Sequence, residues 1–488
     1  MLFNSFIFLL VFLPLVIGGY FLLNHMQKFD MALVFLLGMC FWFYGFFNLS
    51  YLFILILSLI FNYGVGALIQ NAKYGRHRKY YLYAGIFANL GVLFVYKYYD
   101  FFVGNVNAIF NSNFPQYSIL LPLGISFFTF QQISYLVDIS KGEVEGYYTG
   151  WKGFIQYAVY VSFFPQLVAG PIVLHSELMP QLIDETKKRI DYENLNTGLY
   201  IFVRGLAKKV LLADFFAKIA DGGYMVIDEL TAFSAFIVML SYTLQIYFDF
   251  GGYSDMAIGL ARMINIELPV NFNSPYKALN INDFWKRWHI TLTRFFRNYV
   301  YLPLGGNRKG LTRTCINIFI IFLLSGIWHG ANWTFIVWGA MHGIAQVLYR
   351  LMHNQMKRLP NFISWVITFI FVNLTWVMFR ANSISDALLF YRRLFVLDGV
   401  EIHPIIIETF CNIPEVEIVG YILPMIPISC WIIILICLGI FGTLIMRNTI
   451  EKVQVIGGSI ISTIMTVILA VWCICSFSGG STFLYFNF

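Results

Sequence analysis

Ser325 to Trp333 reads S-G-I-W-H-G-A-N-W, and it lies inside a 36-residue stretch, Thr314 to Tyr349, that contains no Asp, Glu, Lys or Arg. A run that long and that free of charge belongs in a bilayer, so His329 is a titratable imidazole at hydrocarbon depth. Such residues are costly in lipid and mark functional sites by default.

Outward from this stretch the pattern repeats. Residues 1–27, 31–72, 101–137, 153–176, 230–248, 359–379, 418–446 and 453–488 also lack all four charged types. A spanning helix needs roughly 20 apolar residues, so these stretches predict about ten or eleven spans. The composition agrees, with 59% hydrophobic, 19% aromatic and 12% charged residues. The expected fold is an all-α, polytopic transmembrane bundle in which residues 1–488 form one integral-membrane domain. The first apolar run lacks a basic n-region and a small-residue cleavage site, and reads as an uncleaved first helix. The seven cysteines are scattered without metal-ligand spacing, so neither a disulfide framework nor a metal site is indicated. The net charge of +7 suits basic cytoplasmic loops and calls for no nucleic-acid partner.

The loop between Ile69 and Tyr80 carries four basic residues and no acid, which places it in the cytoplasm; three spans back, the N-terminus falls outside. Two apolar segments are broken by proline: one with Pro122, Gly124, Gln131 and Gln132, the other with Pro165 and Pro171. Each proline removes a backbone donor, so these segments are expected to form short or re-entrant helices surrounded by protein or a watery cavity; ordinary kinked spans are the alternative. The uncharged aromatic tail, F-S-G-G-S-T-F-L-Y-F-N-F, reads as an end held at the interface.

From Asp283 to Arg313 seven basic residues face one acid. On one helix, Phe284, Trp288, Thr291, Phe295 and Tyr299 would share a face flanked by Arg287, Arg294 and Arg297. That arrangement predicts an amphipathic interfacial helix, aromatic toward lipid. The basic residues either hold anionic headgroups or, with the glycine-rich turn Gly305 to Gly310, receive the phosphates of a cytoplasmic donor. Lys286, Arg287, Arg294, Arg308 and Lys309 are the candidates for that second role. His289 sits on this helix. His329 has Gly326 and Gly330 beside it to open space, with Trp328, Asn332 and Trp333 to orient it; a near-neutral imidazole there can take a proton from a hydroxyl or accept an acyl group. His342 reads as structural, and His175 is noted only for its proximity to Pro171. Asp249 and Asp255 interrupt another apolar stretch and must be paired or hydrated, with Arg262 a candidate partner for Asp255. A polar path past His329 would be lined by Gln131, Asp255 and Asn332.

These stretches together resemble the membrane-bound O-acyltransferase family, in particular its bacterial branch of alginate O-acetylation, teichoic acid D-alanyl transfer, and peptidoglycan and cellulose O-acetylation proteins. The matching pieces are L-P-L-G-I-S-F-F-T-F-Q, F-F-P-Q-L-V-A-G-P-I, Y-F-D-F-G-G-Y-S-D-M-A-I-G, N-F-N-S-P-Y, D-F-W-K-R-W-H-I-T-L-T, Y-V-Y-L-P-L-G-G-N and G-I-W-H-G-A-N-W, within residues 118–345. The resemblance implies His329 as the catalytic residue in a central tunnel and His289 as the supporting one. It implies a multi-pass protein of the bacterial inner membrane that binds no permanent cofactor and passes an acyl group outward, where a periplasmic serine esterase-like (SGNH-type) protein completes transfer to a polysaccharide. Chain length favours acetyl-CoA as donor over a D-alanyl carrier protein; a non-enzymatic transporter of an acylated carrier is the alternative from another class.

Overall fold

The computed structural model describes every residue except 73–75, 144–149, 397, 447, 450, 452–459, 478–482 and 485–488. Lys73 of the basic loop, and all of the aromatic tail but Phe477, Phe483 and Leu484, therefore lie outside the described residues. Among those described, every regular element is helical. Seven helical stretches are long and apolar enough to cross a membrane: Phe8–His25, Leu49–Asn71, His77–Phe110, Ala232–Met263, Gly310–His329, Asn361–Arg380 and Ile428–Ile445. Phe29–Gly45 and Ile460–Cys475 are shorter apolar helices. The polytopic all-α expectation holds, but the described residues give seven stretches of spanning length against the ten or eleven expected, because residues 101–137 and 153–176 are divided into shorter elements. Side chains such as Phe53, Leu57 and Ile464 are exposed as lipid-facing residues must be.

The chain divides into two compact units, one formed by Met1–Val203 and Ser254–Val270, the other by Arg204–Tyr253 and Asn271–Phe488. The first unit contains α1 (Leu13–His25), α2 (Phe29–Gly45), α3 (Leu49–Asn71), α4 (Arg76–Leu93), α5 (Tyr99–Phe110), α6 (Ile125–Lys141), α7 (Gly150–Ser162), α8 (His175–Ile183) and most of α9 (Tyr192–Ala207). Its aromatic centre sets Phe8, Phe12 and Phe43 against Phe164, with Phe12 and Phe164 edge to face at 5.2 Å. Polar groups buried between α3, α4 and α6 bond one another: Asn62 Nδ2 donates to Asn89 Oδ1 (3.0 Å) and Gln132 Oε1 (3.1 Å), and Ser58 Oγ donates to the same Gln132 oxygen (2.8 Å). Side-chain hydrogen bonds of this kind join helices where lipid offers no partner.

The proline-bearing segments behave as short elements. α7 stops after 13 residues, and the chain then runs without helix, fully buried at Phe163, Phe164, Gln166 and Leu167, until His175 opens α8. Gly124 starts α6 with a φ of +73°, and a side chain there would meet the Leu167 carbonyl oxygen at 2.6 Å. Glycine is needed on both counts. His175 lies 3.6 Å from Asp138 of α6.

The second unit holds α10 (Asp214–Met225), most of α11 (Ala232–Met263), α12 (Ile281–Arg287), α13 (Ile290–Phe296), α14 (Gly310–His329), α15 (Trp333–Leu351), α16 (His353–Met356), α17 (Asn361–Arg380) and the helices beyond. α14 and α15 form a tight hairpin whose backbones meet at Gly326 and Gly339. Trp285, Trp288, Trp338, Trp376 and Phe379 fill the core under it.

Candidate active site

His329 is the last residue of α14 and is 3% exposed. The chain turns at once: Gly330 is extended, and Asn332 caps α15 by accepting the Thr334 N–H at 3.1 Å while donating from Nδ2 to the Asn382 carbonyl at 2.8 Å. Asn332 thus fixes the turn after His329. The imidazole is ringed by Trp328, Trp338 and Phe379, with centroids 5.0, 5.1 and 5.2 Å away. The expectation that Gly326 and Gly330 leave space is corrected. A methyl at Gly330 would strike the Phe335 ring, and one at Gly326 the Phe335 carbonyl, so both glycines are filled by α15. Trp333 is half exposed.

His289 is wholly buried and adopts φ +44°, a left-handed conformation rare for a residue with a side chain. It breaks what the sequence pattern suggested was one helix into α12 and α13. Asn271 supports the break by accepting the Ile290 N–H on its backbone carbonyl (3.0 Å). Its side-chain Oδ1 accepts from Thr291 Oγ1 (2.9 Å) and the Thr291 backbone N–H (3.3 Å), and lies 3.1 Å from His289 Nδ1. A backbone N–H can only donate, so the atom it meets is the amide oxygen, and His289 Nδ1 must carry a proton to pair with it. The neutral ring then keeps its lone pair on Nε2. Burial holds the imidazole well below its ordinary range, at about 3, so it stays neutral. Phe250 packs edge-on to it at 4.7 Å.

The break also redirects the aromatic face. Phe284, Trp288, Thr291 and Phe295 are buried among protein rather than turned to lipid; Trp288 lies 4.9 Å from Trp376. Of the proposed donor ligands, Arg287 is paired with Asp283 at 2.9 Å, Arg294 is half-buried on α13, and Lys286, Arg308 and Lys309 are exposed. Three amides of the glycine turn are already engaged: the Gly305 N–H donates to Leu302, that of Gly306 to Tyr301 and that of Arg308 back to Gly305.

His342 is also buried, and Trp285 Nε1 donates to its Nδ1 at 3.2 Å. It belongs to the aromatic core.

The membrane-bound O-acyltransferase family model matches residues 151–385, a segment that includes both His289 and His329. A peptidoglycan O-acetyltransferase of Helicobacter pylori is 43% identical over 427 residues, 82% of this chain and 81% of that protein. The chain belongs to the membrane-bound O-acyltransferase family. It is similar as well to a probable alginate O-acetylase of Pseudomonas aeruginosa (38% identical over 401 residues, 81% of this chain and 75% of that protein). A teichoic acid D-alanyltransferase of Bacillus subtilis matches at 26% identity over 285 residues, 55% of this chain and 71% of that protein.

As a membrane-bound O-acyltransferase the protein is an enzyme, which sets aside the pure transporter. Of the remaining residues singled out in the sequence, Gln131 and Asp255 belong to the first unit. Gln131 is buried on α6, and its backbone carbonyl accepts from Ser134 Oγ at 2.8 Å. Asp255 is buried on the last turns of α11. Arg262 does bond, but to Asn194 and Glu267, at 3.1 and 3.4 Å. Asp249 is paired, as a charge in an apolar helix must be: Lys209 Nζ lies 2.7 Å from both Asp249 and Asp214, and the Leu484 backbone N–H donates to the second Asp249 oxygen at 2.8 Å. Sequence reasoning missed Lys209, Asn271 and Thr291. Among the described residues no cluster of three or more His, Cys, Asp or Glu could hold a metal ion.

Proposed function

We propose that the protein passes acetyl groups from cytoplasmic acetyl-CoA across the bacterial inner membrane for O-acetylation of an exported polysaccharide of peptidoglycan, alginate or cellulose type. The observation that carries this reading is the 427-residue match, at 43% identity, to a peptidoglycan O-acetyltransferase. His329 would act on the acyl group as base or as acyl acceptor. Its enclosure by Trp328, Trp338 and Phe379 keeps bulk water from the ring and so protects a reactive acyl group from hydrolysis. His289, neutral and with its lone pair on Nε2, would serve as the second proton acceptor or as an orienting group. The exposed charges of Lys286, Arg308 and Lys309 and the half-buried Arg294 would attract the anionic donor by long-range charge, and a periplasmic serine esterase-like protein would complete transfer to the sugar. The D-alanyl reading has weaker support, from relatives at 26% identity over 55% of the chain. Purified protein in lipid vesicles, given labelled acetyl-CoA or a D-alanyl carrier protein, tests the choice: acetyl transfer supports the proposal, whereas turnover of the carrier alone overturns it.

A further inference from the structure

The first unit carries a polar cleft of about 610 Å³. Lys187, Arg189 and Arg262 line it, together with Tyr192, Asp191 and Glu267. Its frame is held in place. Asn265, in a left-handed conformation at φ +63°, donates from Nδ2 to the carbonyls of Lys187 (2.9 Å) and Arg189 (2.7 Å). Asn194 Nδ2 donates to Asn265 Oδ1 at 3.1 Å and in turn accepts from Arg262 Nε at 3.1 Å. A surface loop tied at two alternate carbonyls to the turn after a helix is a preorganised one.

The charges favour an anion. Three cations stand against two carboxylates, and both carboxylates are engaged. Asp191 accepts the backbone N–H groups of Glu193 (2.9 Å) and Asn194 (3.0 Å) at the start of α9, and Glu267 faces Arg262 at 3.4 Å. Lys187 Nζ donates to a neutral acceptor, Gln181 Oε1, at 2.9 Å with the Asp184 carboxylate near enough to feel its charge, and Arg189 is exposed at the rim. Tyr192 is 77% exposed beside them, a flat aromatic face open to stacking.

The cleft also lies at a definite end of its unit. Lys188, within the same loop, bonds Tyr20 near the end of α1 at 3.2 Å. The start of α2 and the start of α7 are joined by Asp30 and Lys152 at 2.5 Å. Arg78, from the basic loop, donates to the Ile139 carbonyl at the end of α6 at 2.6 Å. The loop that closes the cleft therefore sits at the end of this unit to which the basic residues 69–80 belong, the cytoplasmic one by the positive-inside rule.

We infer that this cleft binds the adenosine-phosphate end of the acyl donor, with Lys187, Arg189 and Arg262 on the phosphates and Tyr192 against the adenine. The inference rests on coenzyme A being the donor, as proposed above. A phospholipid headgroup shares the phosphate chemistry but has no base to stack. Its volume falls in the range of small-molecule sites, and arginine forks suit phosphate oxygens.

The test uses the full chain in nanodiscs of phosphatidylcholine and, separately, of phosphatidylcholine with phosphatidylglycerol, with adenosine 3′,5′-bisphosphate as probe. The Lys187→Glu/Arg189→Glu protein should bind the probe about tenfold or more weakly than wild type, a loss typical of reversing charges at a phosphate contact. Tyr192→Ala should weaken binding less. Lys357→Glu/Arg358→Glu, with the same change in charge at exposed positions elsewhere, should bind as wild type does. Equal affinity in the Lys187→Glu/Arg189→Glu protein overturns the inference, as does a wild type that retains phosphatidylglycerol and shows no nucleotide binding in either lipid. If wild type binds the nucleotide through these residues yet transfers no acetyl from acetyl-CoA, the proposed reaction falls and the cleft assignment stands.

Discussion

His289 and His342 are both buried in an aromatic core and both held by a hydrogen bond at Nδ1, yet the bonds run in opposite directions. At His289 the nitrogen donates to Asn271; at His342 it accepts from Trp285. The first arrangement leaves the lone pair on Nε2, and the second uses the lone pair on Nδ1 to satisfy an indole. Burial alone therefore does not separate a proton acceptor from a core histidine. The chemistry of the partner does, since an amide oxygen anchored by a backbone N–H dictates one tautomer and an indole N–H dictates the other.

The largest expected effect lies outside that pair, at His329, whose ring shares Trp338 with His342. His329→Ala should lower acetyl transfer by a factor of about 10³ or more, the scale of losing a reacting acid–base group, while the protein still inserts and accumulates. His289→Ala should cost about 10- to 100-fold in kcat/KM, less than His329 because a second proton acceptor is not itself the reacting group. A comparable loss at His342→Ala would break the contrast drawn above.

Asn271→Leu removes the acceptor that selects the His289 tautomer, and about a tenfold fall in kcat is expected, with donor KM little changed. Asn271→Asp restores an oxygen and should recover part of it. Equal damage by Leu and Asp would mean that Asn271 serves only the backbone turn. His342→Phe should leave activity within about threefold but destabilise the protein by about 1–3 kcal/mol, because the Trp285 N–H loses its buried acceptor. Thermal unfolding in detergent separates the two outcomes.

A further effect concerns pH. His289 in the folded protein binds its proton only near pH 3, against 6.5 for an ordinary imidazole, so below about 6.5 the unfolded chain takes up a proton that the folded one does not. Its contribution to stability is full above that value and is lost as pH falls toward 3. His289→Gln should therefore flatten the decline in melting temperature between pH 7 and pH 4. An unchanged slope would place the proton uptake on another group.

Much of this architecture is legible from hydropathy and proline placement. Charge-free runs locate most of the spans because the price of charge in lipid is high, although His77–Phe110 carries Arg78, Lys79, Lys97 and Asp100 and escapes that reading. Pro165 and Pro171 announce the break after α7 because each lacks a backbone donor. His329 is legible for the same reason. The break at His289 is not: W-K-R-W-H-I-T-L-T has helical spacing, and only the reach of Asn271, eighteen residues earlier, turns it aside. The motif N-F-N-S-P-Y contains the signal, but a contact across that distance leaves no periodicity. The fill behind Gly326 and Gly330 was likewise hidden, since a glycine marks equally well an open space and a place where another chain segment comes in. Lys209 escaped notice because it sits beside Lys208 in an ordinary basic pair, whereas its partners Asp214 and Asp249 are five and forty residues on.

Histidine-dependent acyl transfer is measured most directly as acetyl transfer from labelled acetyl-CoA by equal amounts of folded wild-type and His329→Ala protein in vesicles, at saturating donor. Wild type should transfer label, and His329→Ala should transfer none above background. Transfer by a well-folded His329→Ala protein at the wild-type rate would contradict that dependence.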